Sequence, residues 1–142
     1  MHRLRSGVCR AETRAYLADT LDHWRRYGFG LWVLRDPAGT FAGRAGIRRV
    51  AIEDIDETEI ADALMPEFWG RGLATEIARA LLDIGFARLD LLDTVAFTLP
   101  ENLASRRVIE KLGLRFERSV EYRGRPQVLY RMTRAAWVNA RR

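Results

Sequence analysis

The sequence predicts a mixed α/β fold, with parallel and antiparallel strands in one sheet. Apolar residues repeat at the helical period in some stretches, and short runs rich in β-branched and aromatic residues lie between turn residues. The elements follow one another as helix, two strands, strand, helix, strand, helix, two strands. A strand, helix, strand passage requires parallel neighbours and a right-handed crossover, while a hairpin requires antiparallel ones.

Residues 11–27 place Leu17, Leu21 and Trp24 at i, i+4 and i+7, with Arg14, Asp19, Asp22 and Arg25 on other faces. This is the pattern of an amphipathic helix, stopped by Gly28. Residues 29–35 read as a strand. Asp36-Pro37-Ala38-Gly39 then puts Asp, Pro and Gly where a type I turn prefers them, so residues 40–50 become the second arm of a hairpin. Residues 51–58 read as an acidic loop, and 59–65 as a strand halted by Pro66. From Gly70 to Leu89 the period changes, and Leu73, Ile77, Leu81 and Ile84 form one helical face. Residues 94–99 read as a strand ending at Pro100. Asn102 is a good N-cap for a helix to Leu112, with Gly113 as its terminator. Residues 114–123 and 127–133 flank the turn sequence Arg123-Gly124-Arg125-Pro126 and form a second hairpin.

A chain of 142 residues with 48% hydrophobic residues suits one compact domain spanning 1–142, and no internal repeat or linker divides it. Charges interrupt the longest apolar stretches and no leader pattern is visible, so a cytoplasmic protein without a membrane span is expected. Cys9 is the only cysteine, which excludes an internal disulfide and reads as an ordinary thiol. The net charge of +5 is unevenly spread: residues 1–50 sum to +6, 51–101 to −9 and 102–142 to +8. An acidic middle third argues against a simple phosphate-binding surface, and no nucleic-acid partner is expected. His23 follows Asp19 by four residues, a metal-ligand spacing, but two ligands make no site; His23 reads as a surface residue and no metal is expected. Trp24, Trp32 and Trp137 lack basic interleaving and read as packing residues.

Chemistry concentrates in Pro66-Glu67-Phe68-Trp69-Gly70-Arg71-Gly72-Leu73-Ala74-Thr75, which lies between a strand and a helix with two glycines at the helix start. A helix N-terminus presents unpaired N–H groups and the positive end of the helix dipole, and glycines let a phosphate approach the backbone. Locally, a phosphate cradle and an ordinary turn read alike. The segment is neither a Walker loop nor a full dinucleotide fingerprint.

A second motif distinguishes them. About thirty residues later comes Asn102-Leu103-Ala104-Ser105-Arg106-Arg107, running on to Lys111-Leu112-Gly113-Leu114. Together with Ala63-Leu64-Met65-Pro66 and the glycine-rich turn, this resembles the GNAT acetyltransferase superfamily over roughly Trp24 to Tyr130. It is most similar to the branch that acetylates ribosomal-protein N-termini. The resemblance implies a mostly antiparallel central sheet with helices on both faces and a splayed parallel strand pair. It implies acetyl-CoA as acetyl-donor cosubstrate, its pyrophosphate held by the backbone of Arg71, Gly72, Leu73, Ala74 and Thr75. Its pantetheine arm would pair with Ala63, Leu64 and Met65, and Asn102 would hold that arm from the far side. Gly72 and Ala74 fit the family pattern R/Q-x-x-G-x-G/A, whose first position here is Trp69.

An amine attacks a thioester only while neutral, and an alkyl ammonium is mostly protonated at pH 7, so a base or water relay is useful. Glu59 stands where this branch often has a glutamate and is the expected general base; the alternative is a solvated strand-end carboxylate. A strand N–H near Leu64 would stabilise the carbonyl oxyanion. Ser105 is the expected partner of the leaving thiolate, or else simply part of the helix cap with Asn102. Many relatives carry a tyrosine four residues beyond Ser105, where this chain has Ile109.

Relatives also begin with a strand and further helix ahead of the helix at 11–27. Here only Met1 to Arg10 precede it, and Arg3-Leu4-Arg5 is the candidate strand. An abbreviated N-terminus would leave a sheet edge uncovered and favour a homodimer. The acceptor is therefore expected to be a primary amine, either a peptide N-terminus or a small molecule, which the acidic segment 53–57 could attract if it is more than a solvated loop. The competing reading is a degenerate domain that binds acyl-CoA or a protein partner without turnover.

Overall fold

The structure, a computed structural model, describes residues 10–141. The Arg3-Leu4-Arg5 candidate strand, His2 and Cys9 lie outside the described residues. The element order is α1 (Arg10–Tyr27), β1 (Leu31–Arg35), β2 (Phe41–Ile52), β3 (Ile55–Leu64), α2 (Leu73–Asp83), β4 (Asp93–Thr98), α3 (Leu103–Lys111), β5 (Arg115–Tyr122), β6 (Arg125–Thr133) and α4 (Arg134–Ala140). A single 3₁₀ turn, Pro66–Phe68, precedes α2, and a π-helical segment, Ile84–Arg88, follows it.

The six strands form one sheet in the order β1-β2-β3-β4-β6-β5. Every neighbouring pair is antiparallel except β3 and β4. That parallel pair is in register only at Glu59 and Val95, so the two strands part beyond it. The mixed, mostly antiparallel sheet with a splayed parallel pair is thus present.

One face of the sheet, with Ile47, Ile60, Ala96 and Tyr130, packs against Ala78, Leu81 and Leu82 of α2 and Ile109 and Leu112 at α3. The other face carries a smaller cluster of Ile52, Val95, Phe97, Val120 and Leu129. Alternate strand residues point to opposite faces. Arg48 and Val50 therefore share the second face, where α1 lies beside them along a cleft.

Two elements and one residue differ from expectation. Residues 51–58 are not a loop: Glu53 and Asp54, both at positive φ (50° and 64°), make a tight turn, and β2 and β3 pair from Ile52 and Ile55 outward. Asp56 and Glu57 are poor strand formers, and the strand holds because Glu57 is buried against Arg131, which bonds it through Nη1 (3.0 Å) and Nη2 (2.5 Å). α4 was not anticipated; Thr133 caps it, and Trp137 stacks on Phe86 with ring centroids 5.4 Å apart. His23 is not a simple surface residue. Its Nε2 accepts from the Arg49 N–H and its Nδ1 meets the Phe29 carbonyl, each at 2.8 Å. With Nε2 an acceptor and Nδ1 on the Phe29 carbonyl, the ring ties α1 to β2.

Arg131 also bonds Glu117 and Asp93, so one guanidinium joins β6, β3, β5 and β4. Replacing it by alanine would leave the Glu57 carboxylate, 6% exposed, without its partner. Arg131→Ala should lower the unfolding free energy by about 3 kcal/mol, read from urea titrations. Glu117→Gln, on the more exposed side of the same guanidinium, should cost less than about 1 kcal/mol.

Candidate functional site

The gap between β3 and β4 positions the site. Met65 N–H bonds the Ala42 carbonyl at 2.8 Å, so the antiparallel alternation turns the main-chain groups of Asp62 and Leu64 away from β2 and toward the gap. The Trp69 indole N–H donates to the Leu64 carbonyl at 2.9 Å and braces the end of this edge. Trp69, at the first position of the family pattern, thus supports the strand while its ring stays half exposed.

Beyond Trp69 the chain enters α2 through Gly70, Arg71 and Gly72. Gly72 is the N-cap at φ +74°, a conformation suited to glycine, and no side chain caps the helix. A Cβ built on Gly70 or Gly72 would meet nothing within 4 Å, so the approach to the first helical N–H groups is open. Arg71 lies over the Phe68 ring, 5.3 Å from its centroid, which stations its charge beside the helix start. Leu73 and Ala74 pack on Ala42, Leu64 and Phe68 and anchor the turn to β3. An open, uncapped, dipole-positive helix start beside a cation is chemically suited to a pyrophosphate.

A cleft of about 1160 Å³ opens along α1, β2, the splayed end of β3 and the end of β4. Ala63 and Asn102 line it, as does Asp62. Asn102 Oδ1 accepts from the Ser105 N–H (3.2 Å), as an N-cap should, which leaves its amide NH₂ to offer a ligand. Ser105 is half-buried in the first turn of α3 and, like Leu64, Met65 and residues 71–75, does not line the cleft.

Glu59 is fully buried. Its Oε1 accepts from Arg48 Nε at 2.6 Å, opposite its strand partner, and it does not line the cleft, whereas Arg48 does. The ion pair holds the guanidinium firmly protonated, raised well above its ordinary value by the Glu59 charge. The acidic segment 53–57 also lies elsewhere, with Glu57 on Arg131 and Glu53 3.9 Å from Arg118.

Sequence reasoning missed Asp62. It is 5% exposed, its Oδ2 has no hydrogen-bond partner, and burial pushes its carboxyl up to about 6, with the like charge of Glu59 adding to the effect. The signal was available: Ile60 and Leu64 share its strand face and are apolar, and a lone acid between them breaks the pattern. Gln127, 8% exposed with an unpartnered Oε1, lines the same cleft and was also missed.

An aspartate whose folded pKa is raised stabilises the fold only while protonated, and that contribution is lost as pH rises through the folded value of about 6. Asp62→Asn should therefore raise the melting temperature near about pH 8, by a stabilisation on the order of 1–3 kcal/mol, and give no gain near about pH 3.

Comparison with known proteins agrees with this geometry. The family model of the acetyltransferase (GNAT) domain matches residues 2–115. The uncharacterized protein YkkB of Bacillus subtilis is 33% identical over 120 residues, which is 84% of this chain and 70% of that protein. An FsC-acetyl coenzyme A-N(2)-transacetylase of Aspergillus fumigatus is 34% identical over 61% of this chain, a match that spans 39% of its own length. A solved structure from Bordetella pertussis, described as of the GnaT acetyltransferase family, superposes with a TM-score of 0.82 at 27% identity, covering 92% of this chain and 83% of the other. The chain belongs to the GNAT acetyltransferase family.

Proposed function

We propose that the chain, acting as one domain, transfers acetyl from acetyl-CoA to a primary amine in a ternary complex. The observation that carries this reading is the open, uncapped start of α2 joined through Trp69 to a strand edge that leads into the cleft. The backbone of Arg71, Gly72, Leu73, Ala74 and Thr75 would hold the pyrophosphate. The strand end Ala63, Leu64 and Met65 would carry the pantetheine arm, its amides pairing with the gap-facing main-chain groups of Leu64, and the Asn102 amide would close on them from α3. When bound, the cosubstrate supplies a thioester carbonyl and a good leaving group.

The amine nitrogen forms a bond to that carbonyl carbon and the carbon–sulfur bond breaks. Of the two protons the ammonium gives up, one ends on sulfur and one leaves to solvent. Glu59 is proposed to accept the departing proton through water, since Arg48 stands between its carboxylate and the cleft. A gap-facing N–H near Leu64 would bind the developing oxyanion, and the Ser105 hydroxyl would hydrogen-bond the thiolate until it is protonated. The finer placement with the ribosomal-protein N-terminal acetyltransferases rests on the Trp69 to Thr75 motif and is part of this proposal.

Two observations favour a second reading, binding without turnover: Glu59 is already engaged by Arg48, and Ile109 stands where a proton-donating tyrosine is common. Calorimetry with acetyl-CoA, followed by thiol release with amine acceptors, separates the two. Binding with acceptor-dependent release establishes the transferase; binding without release establishes the degenerate domain; no binding overturns both. If Glu59 carries the proton, Glu59→Gln should lower kcat by about 100-fold with the acetyl-CoA Kd unchanged, provided its melting curve shows a folded protein. Gly72→Ala should weaken acetyl-CoA binding by about tenfold, because it strains a left-handed residue and puts a methyl group where phosphate must approach.

A further inference from the structure

Among the described residues, three acids are buried: Glu57, Glu59 and Asp62. Glu57 is bonded by Arg131 and Glu59 by Arg48, while Asp62 Oδ2 has no hydrogen-bond partner. Buried polar atoms are almost always paired, and Asp62 lines the cleft, so its partner is to be sought in what the cleft binds.

The place of Asp62 relative to α3 follows from the core. Asp62 shares a strand face with Ile60, and Ile60 packs in one cluster with Ile109 of α3. β4 and β5 both pair antiparallel with β6, so they run the same way, and α3, which joins them, runs back against both. β3 is parallel to β4, so a step toward the start of α3 is also a step toward the end of β3. Ser105 stands one helical turn before Ile109 on the same helix face, a rise of roughly 6 Å. Asp62 stands one strand repeat beyond Ile60, an advance of about 6.6 Å. The two steps match, and they bring the Asp62 carboxyl to the level of the first turn of α3, which carries Ser105 and the Asn102 cap.

That level is where the transferase needs a proton. The Ser105 hydroxyl can steady a thiolate, but a serine that gives up its own proton needs a base behind it, and the next turn offers only Ile109. Tyr130, on the same sheet face, already donates its hydroxyl to Glu110 and accepts from Arg106. A carboxylic acid can supply the proton. Burial holds the Asp62 proton up to about 6, with the like charge of Glu59 adding to the effect. A cosubstrate arm that fills the cleft excludes more water and acts in the same direction. Around Asp62 in the cleft stand Arg44 and Arg48 of β2, Glu12 and Asp19 of α1, Glu101 before α3 and the arginines of the β5–β6 turn, while α2 turns apolar Ala78, Leu81 and Leu82 to this sheet face. Cations and acids oppose one another there, so burial dominates the hold on the proton.

We propose that Asp62 is the proton donor to the departing coenzyme A sulfur. This rests on the transferase reading above and deepens it. As the carbon–sulfur bond breaks, its electron pair goes to sulfur, the Asp62 O–H bond breaks and an S–H bond forms. Asp62 is left as a carboxylate and takes back one of the protons that the ammonium releases, so the net count stays one proton on sulfur and one to solvent. Ser105 keeps its hydrogen bond to sulfur, and the proton path from the amine through Glu59 is unaffected.

The test begins without an acceptor: coenzyme A is bound to the full chain and its thiolate is read by ultraviolet absorbance across pH. A carboxylate facing the sulfur disfavours a second negative charge beside it. Asp62→Asn should therefore make the bound thiol about tenfold more acidic than in the wild type, with the coenzyme A Kd near about pH 7 held within about twofold, and Asp62→Glu should restore part of the difference. Turnover is then followed with acetyl-CoA and the first of a tetrapeptide amide, a linear polyamine and an aminoglycoside to release thiol. Asp62→Asn should lower kcat by about 100-fold at constant acetyl-CoA KM and abolish the alkaline fall in kcat of the wild type. A bound thiol of equal acidity in all three chains puts Asp62 away from sulfur and overturns the proposal while the transferase stands. A changed acidity with kcat intact overturns it too, because Asp62 then neighbours sulfur without moving its proton. So does a wild-type rate that falls on the acid side in a limb absent from Asp62→Asn, which makes Asp62 a base. If neither coenzyme A nor acetyl-CoA binds, both readings fall together.

Discussion

The rest of the structure depends on a parallel pair that does not close. β3 and β4 meet in register at Glu59 and Val95 and then separate, so strands of ten and six residues share one registered pair. Main-chain groups in a sheet are strongly driven to pair, and an edge left unpaired inside a protein is costly. The separation persists because both strands are held from their outer sides. β3 pairs with β2 over ten positions and β4 with β6 over six, and each of these ladders is antiparallel. The gap is thus a by-product of two well-made half-sheets, and it offers a ligand what the sheet withholds from itself.

Around that gap, polar groups are divided between those the fold satisfies and those it does not. Arg131 gathers Glu57, Glu117 and Asp93, and Arg106 bonds Tyr130, whose hydroxyl in turn donates to Glu110. Arg134 takes the carbonyls of Phe86 and Leu91, which fixes α4 over the π-helical end of the helix before β4. These arginines sit where strands and helices end, and they hold groups that would otherwise be buried alone. The unsatisfied atoms do not scatter through the same interior. They gather at the cleft, where a rigid frame can keep acceptors available without collapsing on them.

The sequence carried most of the frame because its signals are local. Periodicity placed α1 and α2, Asn102 with Gly113 bounded α3, and Asp36 to Gly39 announced the first hairpin turn. The β2–β3 turn escaped because Glu53 and Asp54 adopt left-handed φ without a glycine, and because the charge of Glu57 concealed a strand whose partner, Arg131, lies 74 residues away. The same distance hid the cleft. Tyr16 and Gln127 are ordinary in their own segments, and only the folded chain brings them to the cleft that Asp62 also lines. The glycine-rich turn was legible because a helix start is a local object.

Glu59 and Asp62 show how much strand parity decides. They are three residues apart on one strand and so point to opposite faces. Glu59 falls opposite Arg48 on β2, and the antiparallel register delivers a guanidinium to its carboxylate at 2.6 Å. Asp62 falls opposite Ala45, which has nothing to offer it. One carboxylate is therefore neutralised by the fold, while the other is buried, unpartnered and raised toward neutrality. Ala45 is itself buried in the core cluster under α2, where no long basic side chain fits, so the strand partner cannot satisfy Asp62. A carboxylate that the fold leaves unsatisfied where it lines a cleft is a cost in stability, and only a group entering that cleft can offset it.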